Sequence, residues 1–194
     1  MYQFLETIRL EEGNLVNQNY HQSRINDTSK YFSLNGFDLD KLTIPKQFMK
    51  GLFKLRIEYA NTILKIEYQE YKIKQIDSLK IIEDNSIIYN FKYLNRSRIN
   101  KLLEKKDDCD DIIILKNGEI TDTSYSNLIF VKNGEYFTPI NPLLNGTKRR
   151  YLIDLREIIP NLIKPRDLDN YEYCKIFNAM INIEDSPIIK NIKL

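Results

Sequence analysis

Two of the four Asn-Gly pairs place the strongest constraint on this chain. Asn117-Gly118 and Asn133-Gly134 each follow a short apolar run, and Asn-Gly favours a type I′ turn because both central residues need positive φ. Ile112-Ile113-Ile114-Leu115 before the first pair reads as a buried strand. Asn127-Leu128-Ile129-Phe130-Val131, closed by the second pair, reads as another. The middle of the chain is therefore committed to sheet.

The flanks carry both periodicities. Leu55-Arg56-Ile57-Glu58-Tyr59 and Ile63-Leu64-Lys65-Ile66-Glu67-Tyr68 alternate as half-buried strands do, across a polar Asn61-Thr62 turn. Residues 2–9, 78–82, 86–91, 173–177 and 188–192 also read as strands. Helices are expected over residues 17–32, and again after Thr43 and Pro45, where Phe48, Leu52 and Phe53 recur at helical spacing. Ser97 reads as the cap of a third, with Ile99, Leu102 and Leu103 on one face. Residues 148–159 form a fourth, stopped by Pro160. This mixture predicts an α+β fold, with a small N-terminal domain over residues 1–80 and a larger one over 81–194 that carries Lys92.

Composition removes several classes of function. Lys plus Arg total 29 against 27 Asp plus Glu, so the net charge is only +2, which argues against a dedicated nucleic-acid or membrane-surface protein. The basic run Lys148-Arg149-Arg150 is short and lacks interleaved aromatics. No stretch approaches the roughly 18 apolar residues that cross a bilayer. Cys109 and Cys174 lie far apart with no CxxC spacing, which predicts a reducing, cytoplasmic setting. His21 is the single histidine, and the acidic run over residues 107–111 has no ligand spacing, so no metal site is expected.

Chemistry has to rest on other groups, and five separated motifs offer them. They are Glu6-Thr7-Ile8-Arg9, His21-Gln22-Ser23-Arg24, Lys92-Tyr93-Leu94-Asn95-Arg96, the segment from Gly118 to Asn127, and Leu144-Asn145-Gly146-Thr147-Lys148-Arg149. In this order they resemble the class IV pyridoxal-phosphate (PLP) enzymes, which include branched-chain and D-amino-acid aminotransferases and 4-amino-4-deoxychorismate lyases. The resemblance implies a two-domain fold like that of D-amino-acid aminotransferase, with PLP between the domains, and a homodimer acting on a small-molecule substrate.

It also implies roles for individual residues. Lys92 stands at the position of the lysine that forms a Schiff base with the cofactor aldehyde and then serves as a proton-transfer base. Asp122 stands where the family usually has a glutamate against the pyridine nitrogen, offering the same charge with one methylene less reach. Arg24 matches the arginine that clamps the cofactor phosphate. Gly146, Thr147 and Lys148 match the phosphate-binding turn, commonly Gly-Ile-Thr-Arg, with the hydroxyl one place early and Lys148 in the threonine position. Asn127 and Asn178 complete the cofactor set, while His21 reads as structural.

Thr7 and the stretch Asn178-Ala179-Met180 lean towards the lyase branch, with Thr7 near the reacting lysine as a proton donor. The expected activity is that of 4-amino-4-deoxychorismate lyase, forming 4-aminobenzoate and pyruvate for folate synthesis. The alternatives are a branched-chain or D-amino-acid aminotransferase and a catalytically inactive relative of the same fold.

Overall fold

The computed structural model describes residues 2–194, in which helices and strands are mixed along the chain. Two compact units result. One runs through Lys72 and takes back Phe91–Asn95; the other consists of Ile73–Asn90 and Arg96–Leu194. This division differs from the one expected at residue 80. Ser78 opens a strand that pairs entirely within the second unit, and Lys92 belongs to the first, where the Leu5 N–H donates to its carbonyl at 2.9 Å.

In the first unit, β1 (Phe4–Glu11), β2 (Asn14–Leu15), α1 (Gln18–Phe32), β3 (Leu52–Tyr59) and β4 (Ile63–Glu70) follow in order. The strands form an antiparallel sheet in the order β2-β1-β3-β4. Alternation along β1 turns Phe4, Glu6, Ile8 and Leu10 to one side, and the apolar three pack with Ile25 of α1, Leu39, Leu55, Ile57 and Tyr59. The helix expected after Pro45 is a single turn, Lys46–Phe48. Gly51 then takes φ 94°, and Leu52 and Phe53 become successive positions of β3, so their spacing serves a strand.

In the second unit, β5 (Ser78–Glu83), α2 (Ser97–Leu103), β6 (Asp111–Lys116), β7 (Glu119–Thr123), β8 (Asn127–Lys132), β9 (Glu135–Pro139), α3 (Thr147–Asp154), β10 (Ile159–Asn161), β11 (Tyr173–Phe177) and β12 (Asn191–Lys193) build two sheets. Their orders are β12-β5-β6-β7 and β10-β9-β8-β11. Both Asn-Gly pairs turn as expected, joining β6 to β7 and β8 to β9 with positive φ at all four residues. Ile99 and Leu102 of α2 cover Ile112 and Ile114, and Leu152 of α3 packs on Ile129, Val131 and Phe177. Burying a side chain such as Leu152 contributes roughly 1.5–3 kcal/mol.

The expected strand over 86–91 does not form. Asp84 Oδ1 accepts the Ser86 N–H and Lys116 Nζ holds the Ile87 carbonyl, so side chains take the bonds that a partner strand would supply. Helix α3 stops at Asp154, short of the expected 159, because Arg156 turns left-handed at φ 60° and Ile159–Asn161 runs parallel to β9. No helix among the described residues is long and apolar enough to cross a membrane. Cys109 and Cys174 are buried free thiols.

Candidate active-site residues

In the first unit a charged group sits inside an apolar face. Glu6 is completely buried, and Arg24 meets it with a two-pronged contact, Nε to Oε1 at 2.7 Å and Nη2 to Oε2 at 2.5 Å. His21, one helical turn before Arg24, donates from Nδ1 to Oε2 at 2.6 Å. Burial alone raises a carboxyl, but the Arg24 charge and the hydrogen bonds from His21 and Arg24 outweigh it and hold Glu6 down to about 2. Burial lowers His21 more than Glu6 raises it, so its ring is neutral near pH 7 and Nδ1–H is the donor.

Lys92 lies beside this network. Backbone bonds from Leu5 N–H to its carbonyl and from Leu94 N–H to the Gln3 carbonyl dock its segment against β1, and its charge is felt at His21. Phe91 and Tyr93 on either side pack with Phe32, at 5.0 and 6.2 Å between ring centroids. Thr7 is half-buried, and alternation sends it to the opposite face of the sheet from Glu6 and Arg24. Its cross-strand neighbour is Arg56, which is tied to Glu58 and Glu67. The structure thus brings Arg24 and His21 together through Glu6, and leaves Thr7 on the other face.

In the second unit Asp122 ends up buried near the end of β7, where both of its oxygens accept hydrogen bonds. Asn127 Nδ2 donates to Oδ1 at 2.7 Å and the Leu144 N–H to Oδ2 at 2.8 Å. Burial nevertheless dominates and pushes the carboxyl up to about 6, against those two bonds and the Arg149 charge. Asn127 Nδ2 also reaches the Leu144 carbonyl at 3.0 Å, and its Oδ1 fills the space where a side chain on Gly146 would stand. Asp122, Asn127 and Gly146 are thus one connected cluster.

Gly146 is the N-cap of α3 and no side chain caps that end; the first intrahelical bond runs from the Arg150 N–H to the Gly146 carbonyl. The N–H groups before it face outward along the axis, a geometry that favours an anion. Thr147 is buried. Lys148 turns away along the helix, with Nζ on Asn182 Oδ1 at 2.9 Å and over the Tyr151 ring. Asn178 Oδ1 accepts the Met180 and Ile181 N–H groups, and its Nδ2 donates to Ser126 Oγ at 2.9 Å, so it braces the β7–β8 loop. Arg96 holds the same loop through the Ser124 carbonyl at 2.5 Å.

The residues that sequence reading passed over are Glu6 as a partner and Arg149. Glu6 had a signal: period two in Phe4, Glu6, Ile8 and Leu10 turns a carboxylate inward, which demands a buried cation, and Arg24 lies three residues after His21. Arg149 had none, because its partners are a backbone carbonyl and a side chain that only the folded loop supplies.

A family model described as amino-transferase class IV matches residues 55–184. That range includes Lys92, Asp122, Asn127, Gly146, Thr147, Lys148 and Asn178, and leaves Thr7 and Arg24 before it. An uncharacterized protein of Haemophilus influenzae is 36% identical over 187 residues, covering 93% of this chain and 98% of that protein. A crystal structure from Haemophilus somnus, provisionally named a 4-amino-4-deoxychorismate lyase, is 34% identical with a TM-score of 0.86, over 93% of this chain and 97% of that one. An aminotransferase from Brucella abortus bound to PLP superposes with a TM-score of 0.75 at 17% identity, over 98% of this chain and 81% of that one. At that identity the likeness speaks for the fold alone.

Proposed function

Because the chain belongs to the class IV aminotransferase family, whose members are PLP-dependent enzymes, we propose that it is a PLP-dependent lyase with the activity of 4-amino-4-deoxychorismate lyase. In this reading it forms 4-aminobenzoate and pyruvate and works as a cytoplasmic homodimer. The observation that carries the choice of lyase is the 34% identity, over nearly the whole of both chains, to the Haemophilus somnus structure of that provisional name.

Each unit offers groups whose chemistry fits the cofactor. A buried carboxylate at Asp122, an uncapped helix start at Gly146, a guanidinium held in a fixed plane at Arg24 and an amine at Lys92 are the groups a phosphorylated pyridine aldehyde needs. When bound, PLP supplies an electrophilic aldehyde and a ring able to accept electron density from the substrate. The rest falls to the chain. Lys92 Nζ would be the amine that holds the aldehyde carbon, and as a free amine it would move the proton at the substrate carbon that bears nitrogen.

Asp122 would hold the proton on the ring nitrogen. Its midpoint of about 6 leaves it mostly anionic at neutral pH, and a cation beside it lowers that midpoint further. In the first unit Arg24 would offer a guanidinium to the phosphate, and in the second the N–H groups of Thr147 and Lys148 would offer donors at the start of α3. Asn127 orients Asp122, and Asn178 braces the β7–β8 loop that follows it.

The test is product formation from 4-amino-4-deoxychorismate by the PLP-loaded protein. Equimolar 4-aminobenzoate and pyruvate, lost in Lys92→Ala, are expected. Exchange of an amino group between an amino acid and a 2-oxo acid, without either product, makes the chain an aminotransferase instead.

A further inference from the structure

Between β9 and α3 runs a loop whose Leu144 serves the Asp122 cluster twice, its N–H on Asp122 Oδ2 at 2.8 Å and its carbonyl under Asn127 Nδ2 at 3.0 Å. One side chain grips this loop at both ends. Arg149, in the first turn of α3 and only 5% exposed, donates from Nη2 to the Pro139 carbonyl at 2.9 Å and from Nη1 to Asn145 Oδ1 at 2.8 Å. The two bonds leave different nitrogens of a rigid planar fork, so together they fix the spacing between the loop's ends. Asn145 is the residue directly after Leu144, and any slack there moves the N–H that Asp122 accepts.

Burying a guanidinium on neutral acceptors is costly, and burial accordingly lowers Arg149, with Asp122 as the charge that opposes the change. A lysine here would carry the same buried charge but could not hold two acceptors in one plane, so the placement suits a role that a rigid fork performs. We propose that Arg149 is a positioning residue: it clasps the loop of residues 139–145 at both ends, so that the Leu144 N–H is delivered to Asp122 and keeps that carboxylate aimed and anionic.

The inference rests on the reading of Asp122 as the partner of the cofactor ring. Around Asp122 stand Asn127 from β8, the Leu143 and Leu144 N–H groups from the loop, and Arg149 from α3, which is the charged group acting on it. Clasp and charge are therefore separable. Arg149→Lys keeps the charge and loses the fork, Asn145→Ala frees one end of the loop with Arg149 whole, and Arg149→Met removes both effects.

The Asp122 carboxyl is followed by carbon NMR from the acid range to neutrality, its signal assigned by its loss in Asp122→Asn. PLP-loaded and PLP-stripped protein are measured in parallel. The clasp predicts that Arg149→Lys and Asn145→Ala each raise the Asp122 midpoint by about one pH unit, the worth of one hydrogen bond to a charged group, and that Arg149→Met raises it more. Wild-type midpoints in the Lys and Ala variants overturn the proposal, whether or not the Met variant moves, because charge alone is then sufficient. Should Arg149→Met fail to fold, the other two variants decide. Wild-type protein that takes up no PLP counts against the proposed function, and the stripped protein still decides the clasp.

Discussion

An alanine at position 146 has nowhere to put its methyl group, because the Cβ would stand 2.2 Å from Asn127 Oδ1. Gly146→Ala must push Asn127 aside, and with it the amide that Asp122 accepts. Overpacking of this kind costs about 1–3 kcal/mol, so the variant is expected to melt several degrees lower by calorimetry. Asp122 adds a pH signature. Its folded midpoint, about 6, lies above the ordinary 3.8, so its contribution to stability is complete below 3.8 and is lost as pH rises through 6. The loss is about 3 kcal/mol across that window in the PLP-stripped protein, and denaturant titrations of Asp122→Ala are expected to lack it. At this scale the sequence shows Lys92, Asp122 and Gly146 through their motifs. It hides Arg149, whose meaning comes from a loop closed by folding.

Among the elements, β1 and α1 are joined by a buried charge network as well as by apolar packing. Glu6 is depressed to about 2 from 4.5, so its stabilisation is complete above 4.5 and fades as pH falls through 2. His21 is also lowered, so its contribution is complete above 6.5 and fades as its buried ring is forced to protonate. Acid therefore attacks this contact in two steps. His21→Gln is expected to remove the upper step from an acid-unfolding curve followed by circular dichroism and to leave the lower one. Glu6→Ala removes the carboxylate that the buried Arg24 grips and is expected to cost about 3–5 kcal/mol.

Alternation made β1, β3 and β4 legible, unbroken apolar runs did the same for β6 and β8, and two Asn-Gly pairs fixed two turns. The segment 86–91 was misread because its β-branched and aromatic residues pack without a ladder, Ile87 buried and Ile88 exposed. Strand β10 is short and pairs in parallel with β9 from a distant part of the chain, so it carries no local signal of its own.

Across the whole molecule, the order of the motifs carried more information than any of them singly. It pointed to class IV before any fold was visible, and the family match over residues 55–184 bears that out. The chain's two compact units were harder to read, because Phe91–Asn95 leaves the second and joins the first, a return set by the pairing of Phe4 with Tyr93. Light scattering on the purified protein is expected to give twice the chain mass of 23.1 kDa, and a monomer counts against the proposed homodimer.

Whether Lys92 carries PLP is read by mass spectrometry of the borohydride-fixed protein. After reduction and proteolysis, the cofactor mass is predicted on the peptide containing Lys92 and nowhere in Lys92→Ala. Cofactor fixed on another lysine, or on none while Lys92→Ala and wild type behave alike, contradicts the account.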